Sequence, residues 1–144
     1  MGKFFSLICI FLFINSSCTK KRLVEKSLMN TLADGVSYWK IEELKKNDSS
    51  FISNFTPLKV SFGSFGFMTF VKEINPSGSE EGILFFSIST NTAGKQLLAI
   101  TDNPLAPQYL KNCLGEWVVL NYNSSLVTMS GASNNTNSLI LRKK

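Results

Sequence analysis

From residue 36 onward the chain alternates between apolar and polar positions. Leu58, Val60 and Phe62 are separated by Lys59 and Ser61, a period of two that gives a strand one apolar and one polar face. In the next stretch Phe65, Phe67, Thr69 and Val71 share one face, and Met68, Phe70 and Lys72 the other. Similar texture, rich in Phe, Ile, Val and Thr, predicts strands at 36–44, 58–62, 65–73, 83–90, 96–101, 116–122, 126–130 and 139–142, with 51–54 a further candidate. Asn75-Pro76-Ser77-Gly78-Ser79 and Asn91-Thr92-Ala93-Gly94 have the chemistry of hairpin turns. Residues 121–125 join the next pair, and 131–137 form a polar loop before the last strand. Pro104 and Pro107 exclude a central strand from 103–110 and predict a crossing segment with a helical turn. One helix is predicted at 20–33, where Leu23, Ser27, Leu28 and Leu32 recur at three- and four-residue spacing. Asp34-Gly35 ends it, Gly35 supplying a left-handed cap. About eight short antiparallel strands with no helices between them make an all-β fold, either a sandwich or a closed barrel.

The first residues follow a different logic. Lys3 precedes an apolar run of 11 residues from Phe4 to Ile14, then Asn15-Ser16-Ser17-Cys18, the three-part layout of a secretory signal. A helix needs about 20 residues to span the hydrocarbon core, so this run is too short for a permanent anchor. Ile14-Asn15-Ser16-Ser17-Cys18 resembles the lipobox of bacterial lipoproteins, with the aliphatic residue four places before the cysteine, as in the looser lipoboxes of Bacteroidetes. The resemblance implies cleavage before Cys18 and lipidation of its sulfur, and two or three acyl chains there hold a protein to a membrane stably. Thr19-Lys20-Lys21-Arg22 lacks an Asp after the cysteine and the acidic run of surface-exported lipoproteins. By the sorting pattern of that class this implies the outer membrane, facing the periplasm.

Removal of residues 1–17 from 144 leaves 127, one domain's worth of chain. The net charge of +5 sits at the two ends of that chain, in Lys20, Lys21, Arg22 and Lys26 and in Arg142, Lys143 and Lys144. Between Ser27 and Leu141 seven Lys face nine Asp and Glu, so no basic groove for nucleic acid is expected. The terminal cations suit either anionic lipid head groups or a solvated linker. The chain has no histidine, which removes His-based triads, common zinc sites and the usual proton shuttle. No cofactor or metal is expected, and the chain reads as a non-enzyme. Cys9 leaves with the signal and Cys18 is consumed by lipid. Cys113 then stands alone, without a disulfide partner, as a small buried apolar residue.

The choice between sandwich and barrel comes from a second resemblance. Trp39-Lys40-Ile41, following Gly35, is similar to the first strand of the lipocalin-like lipoproteins of Bacteroidetes. Leu114-Gly115-Glu116-Trp117-Val118-Val119, Ser125-Leu126-Val127-Thr128-Met129 and Leu139-Ile140-Leu141-Arg142-Lys143 resemble their last three strands. The resemblance implies a small up-and-down barrel of about eight strands. It divides the chain into a signal peptide at 1–17, a lipidated tether and short helix at 18–30, and a barrel domain at 31–144.

Under this reading Phe62, Phe67, Phe70, Phe85 and Trp117 face inward and line a cavity for a small apolar or amphipathic ligand. The alternative is a solid core, because an eight-stranded barrel is just wide enough for side chains to fill and few small residues alternate with these Phe. A solid barrel would serve as an interaction module, gripping an envelope protein through rim loops 75–82, 91–95, 103–112 and 131–138. Glu42-Glu43 and Glu80-Glu81 are adjacent carboxylates; on a strand neighbours point to opposite faces, so neither pair converges as a general acid and base. Gly63-Ser64-Phe65-Gly66 lacks the Lys and helix of a phosphate loop and is a turn. Oligomeric state and ligand identity are not written in the sequence.

Overall fold

The alternation closes into a cylinder. The computed structural model describes residues 22–35, 37–72 and 79–144. Helix α1 covers 22–32. After it come β1 (Trp39–Lys46), the two-residue β2 (Ser49–Ser50), β3 (Leu58–Phe62), β4 (Phe67–Lys72), β5 (Ser79–Thr90) and β6 (Gln96–Thr101). The last three strands are β7 (Gly115–Tyr122), β8 (Leu126–Gly131) and β9 (Ser138–Lys143). Each strand from β3 to β8 pairs antiparallel with its successor, and β1 closes the sheet by pairing with both β3 and β9. The fold is therefore an up-and-down antiparallel barrel of eight strands, with β2 as an extra strand beside β1.

The closing seam is uneven. On one side β1 pairs with β9 from Trp39↔Lys143 to Lys45↔Ser138. On the other it meets β3 at Trp39↔Val60 and then turns away to pair with β2. The expected strand at 51–54 is not one. Asn47 and Asp48 both take positive φ, 48° and 63°, the two-residue hairpin turn that Asn and Asp tolerate. That turn extends β1 to Lys46 and spends the strand potential of the next residues on β2. Ile52–Asn54 then form a 3-10 turn, which drives Phe55 into the core at 1 % exposure.

The remaining predicted elements hold. Gly35 has φ 76° just beyond α1, and a 3-10 segment at Gln108–Cys113 occupies the proline-bounded crossing. The strand expected from Phe65 begins at Phe67, because residues 63–66 make a turn in which Gly66 takes φ 84°. A Cβ on Gly66 would sit 2.8 Å from the Phe86 carbonyl oxygen. The hairpin at Asn75-Pro76-Ser77-Gly78-Ser79 falls mostly outside the described residues, as do the starting residue of the first predicted strand and the first two of the predicted helix.

Strand direction gives the barrel two distinct ends. α1 crosses one of them, here called the helix end. Leu28 and Leu32 are buried from α1, the Trp39 indole donates to the Leu32 carbonyl at 3.1 Å, and the Gln96 amide donates to the Val24 carbonyl at 2.8 Å. The first bond occupies a carbonyl that the last turn of the helix would otherwise leave to water, and the second ties the first turn of the helix to β6. At the far end, Phe55 and the 108–113 segment cover the opening. Leu110 and Cys113 are fully buried there, and the Trp117 indole donates to the Cys113 carbonyl at 2.9 Å.

Candidate functional site

The barrel interior was the first candidate, and its residues separate into two groups. Phe62, Phe70 and Trp117 point inward and are buried. Phe67 and Phe85 do not: they are 43 % and 39 % exposed on the outer wall, directly paired across β4 and β5 with ring centroids 5.8 Å apart. The physical reason is parity. In β4 the buried positions are Met68 and Phe70, and in β5 they are Leu84 and Phe86; Phe67 and Phe85 lie one residue out of step with them, so the pleat turns them outward. Sequence reasoning missed Phe55 and Phe86 as interior residues. Phe86 stacks edge-on to Phe62 at 5.1 Å, and Phe55 packs against Phe70 at 6.0 Å and Tyr109 at 6.4 Å.

Together with Trp39, Met68, Met129 and the buried aliphatic residues of β1, β3, β5, β6, β8 and β9, these rings form one buried cluster. Most of its members are at 0–2 % exposure. α1 closes it at one end and Phe55, Leu110 and Cys113 at the other. Bulky side chains thus fill the space that an eight-stranded barrel encloses. The surface grooves run along the rims: one between α1 and Ser124, one beside the Tyr38–Gly63 corner, and one beside Pro57 and Tyr109.

Three titratable groups moved from their ordinary range lie together at the far end. Tyr109 donates to Glu81 at 2.9 Å; burial, then its bond and proximity to that carboxylate, push its hydroxyl up to about 12. Cys113 is fully enclosed, and burial pushes its thiol far up, so it offers no thiolate. This matches its expected role as a small buried residue. Lys46 donates to the Leu114 carbonyl and lies 5.8 Å over the Trp117 ring; burial lowers its ammonium below the usual lysine range. The arrangement is a plug, in which each polar group is consumed by a neighbour.

The adjacent carboxylates need one correction. Glu42 and Glu43 do not face opposite sides of β1. A bulge between Ile41 and Glu43 adds a residue on the outside, so Ile41 and Leu44 stay buried while both glutamates project outward. They still do not converge, since Glu42 pairs with Arg142 and Glu43 accepts from Ser138 and from Lys45. Those bonds hold the Glu43 carboxyl below the usual range, the Ser138 bond most of all. Of the other pair, Glu81 is held by Ser79 and Tyr109.

Cys18 lies outside the described residues. Among the described residues no helix is long and apolar enough to cross a membrane, and no group of three or more His, Cys, Asp or Glu could hold a metal ion.

The outer wall is the feature that sequence reasoning did not single out. Over 67–71 of β4, 83–89 of β5 and 97–101 of β6 the outward positions include Phe67, Val71, Ile83, Phe85, Leu97 and Ala99, interspersed with Ser and Thr, and carry no charge. On β1 and β9 the outward positions carry Lys40, Glu42, Glu43, Lys45 and Arg142. The signal was present in the period-two pattern of 67–71 and 83–89, whose two faces are both apolar at Phe67 and Phe85. No family model, no curated protein and no solved structure matches this chain.

Proposed function

We propose that the protein is a lipoprotein of the bacterial cell envelope, held by lipid on Cys18, whose solid barrel serves as an interaction module through its outer wall. The lipobox-like run before Cys18 supports the anchor. The filled interior carries the choice between the two readings of the barrel. A pocket for a small apolar ligand takes about 300 Å³ or more, and here two Trp, several Phe and two Met occupy the enclosed space. Recognition then falls to the exterior, where the uncharged surface around Phe67 and Phe85 offers the composition of an interface core.

Two experiments test this reading. The mass of the mature amino terminus, with labelled palmitate, reports lipidation; an unmodified Cys18 would overturn the anchor. A photocrosslinking residue at Phe85, compared in intact cells with one at Glu42 on the charged wall, reports the surface. One dominant envelope protein captured from position 85 and none from 42 is expected. Equal, scattered capture from both would sink the interaction reading, as would a lipid that co-purifies at one per barrel across preparations.

A further inference from the structure

The two barrel ends differ in charge as well as in shape. The helix end gathers Arg22, Lys26, Lys95, Arg142, Lys143 and Lys144 against three acids, Glu25, Asp34 and Glu42. Of these, Arg142 and Lys143 already hold Glu42 and Asp34. The far end balances Asp48, Glu81, Asp102 and Glu116 with Lys45, Lys46, Lys72 and Lys111. The helix end also carries protruding apolar side chains. Phe65 is 88 % exposed in the 63–66 turn, Leu23 is 62 % exposed on α1, and Val24 is exposed beside it. An open groove of about 590 Å³ runs between α1 and the turn that joins β7 to β8, with Leu23, Lys26 and Lys143 on its walls. Cations ringed around projecting apolar groups match the interface of an anionic bilayer, where head groups attract the cations and the acyl boundary receives the apolar tips.

We infer that the helix end is a membrane-docking face, seated on anionic phospholipid with Phe65 and Leu23 inserted at the head-group boundary. The inference rests on the lipid-anchor reading of Cys18 and deepens it. Four residue steps separate Cys18 from Arg22, and a fully extended chain covers at most about 14 Å in that distance. So short a leash brings the helix end, and no other part of the barrel, against the bilayer. Lys20 and Lys21 on the leash add to the same charge. The barrel then stands with its far end, where charges balance, away from the membrane, and the β4–β6 wall rises from the surface, open to a partner from the side.

The test places one fluorescent probe at each end. Ser64→Cys and Asp48→Cys are each labelled on the full protein purified from bacterial membranes and placed in vesicles of phosphatidylglycerol and phosphatidylethanolamine. Cys113 is buried and stays unlabelled. The Ser64 probe is expected to shift blue and to be quenched by spin-labelled lipid at least about threefold more than the Asp48 probe. Leu23→Ser with Phe65→Ser, both at exposed positions, brings the Ser64 probe down to the level of the Asp48 probe. Vesicles of phosphatidylcholine alone, or high salt, weaken the contrast by about threefold or more because the cations lose their partner. Equal quenching of the two probes, or an Ser64 signal that survives the double substitution, would overturn the docking. The mass of the amino terminus separates the two ideas: an unmodified Cys18 removes the anchor, while quenching on vesicles added to the same protein still decides whether this face binds lipid.

Discussion

Both ends of the barrel are shut by the same device built from different material. At the helix end the Trp39 indole holds the Leu32 carbonyl, and at the far end the Trp117 indole holds the Cys113 carbonyl. Each tryptophan is essentially unexposed, so each supplies a large apolar body and one satisfied donor. The lids differ. A helix covers the first end through two leucines and the Gln96 bond to Val24, whereas irregular backbone covers the second with Phe55, Leu110 and Cys113. A regular lid satisfies most of its own backbone, and an irregular one must borrow partners from the barrel. The far end accordingly holds Lys46 on the Leu114 carbonyl and Tyr109 on Glu81.

The strongest way to break this symmetry is to remove the tryptophans one at a time. Trp117→Ala and Trp39→Ala are each expected to cost about 3–5 kcal/mol, from a large cavity plus an orphaned carbonyl, read as the shift in urea midpoint. The local consequences should differ. Trp117→Ala opens the 108–113 lid, so Cys113 reacts with a thiol reagent in the native state. Trp39→Ala leaves Cys113 protected and speeds amide exchange in α1. If either variant changes both readouts equally, the two lids form one cooperative unit and the comparison fails.

Glycine substitutions sharpen the contrast at smaller cost. At the far end a Cβ on Gly82 would lie 2.8 Å from Pro107 Cδ and 2.9 Å from Leu110 Cδ1, so Gly82→Val should cost about 1–3 kcal/mol by overpacking under the irregular lid. At the helix end Gly35 has open space around its Cβ position and a φ of 76°. Gly35→Ala should therefore cost about 1–2 kcal/mol, entirely from the left-handed backbone. A Gly82→Val variant as stable as the parent would show that the 108–113 segment moves aside freely.

The sequence revealed the barrel more fully than its surface. Strands at 58–62 and 126–130 were readable because one face is largely apolar and the other is not. The inward set errs at Phe67 and Phe85: 65–71 and 83–86 are apolar on both faces, so composition invites either side inside, and Phe67 and Phe70, three residues apart on one strand, cannot both face in. The type of local turn also escaped notice: nothing apolar marks Asn47-Asp48, yet two positive φ values there convert a predicted strand at 51–54 into a 3-10 turn. The bulge at Glu42-Glu43 is invisible for the same reason, because one inserted residue changes facing without changing composition. The filling of the interior depends on how Phe55, Phe62, Phe70 and Phe86 interlock across strands distant in sequence, which no local pattern encodes.

The smallest effect separates the lids by pH. The Tyr109 hydroxyl is raised from its ordinary 10.0 to about 12, first because it is partly buried and then because it donates to Glu81. A group whose proton is held more tightly in the folded state stabilises that state fully below the unfolded value. The contribution is lost as pH rises through the folded one, here between about 10 and about 12. Deprotonation would place a phenolate beside a carboxylate and break the 2.9 Å bond, loosening the far lid. The Trp39 and Gln96 bonds that hold α1 on the barrel use an indole N–H and an amide, which do not titrate in this range. With Trp39→Phe, the remaining Trp117 fluorescence reports the far end; with Trp117→Phe, Trp39 reports the helix end. With Lys46→Met also in place, which removes the ammonium over the Trp117 ring, the Trp117 signal should change before the Trp39 signal over that window, and Tyr109→Phe should abolish the lead. Simultaneous change at both ends, or a lead that persists in Tyr109→Phe, would remove Tyr109 as the group that distinguishes the lids.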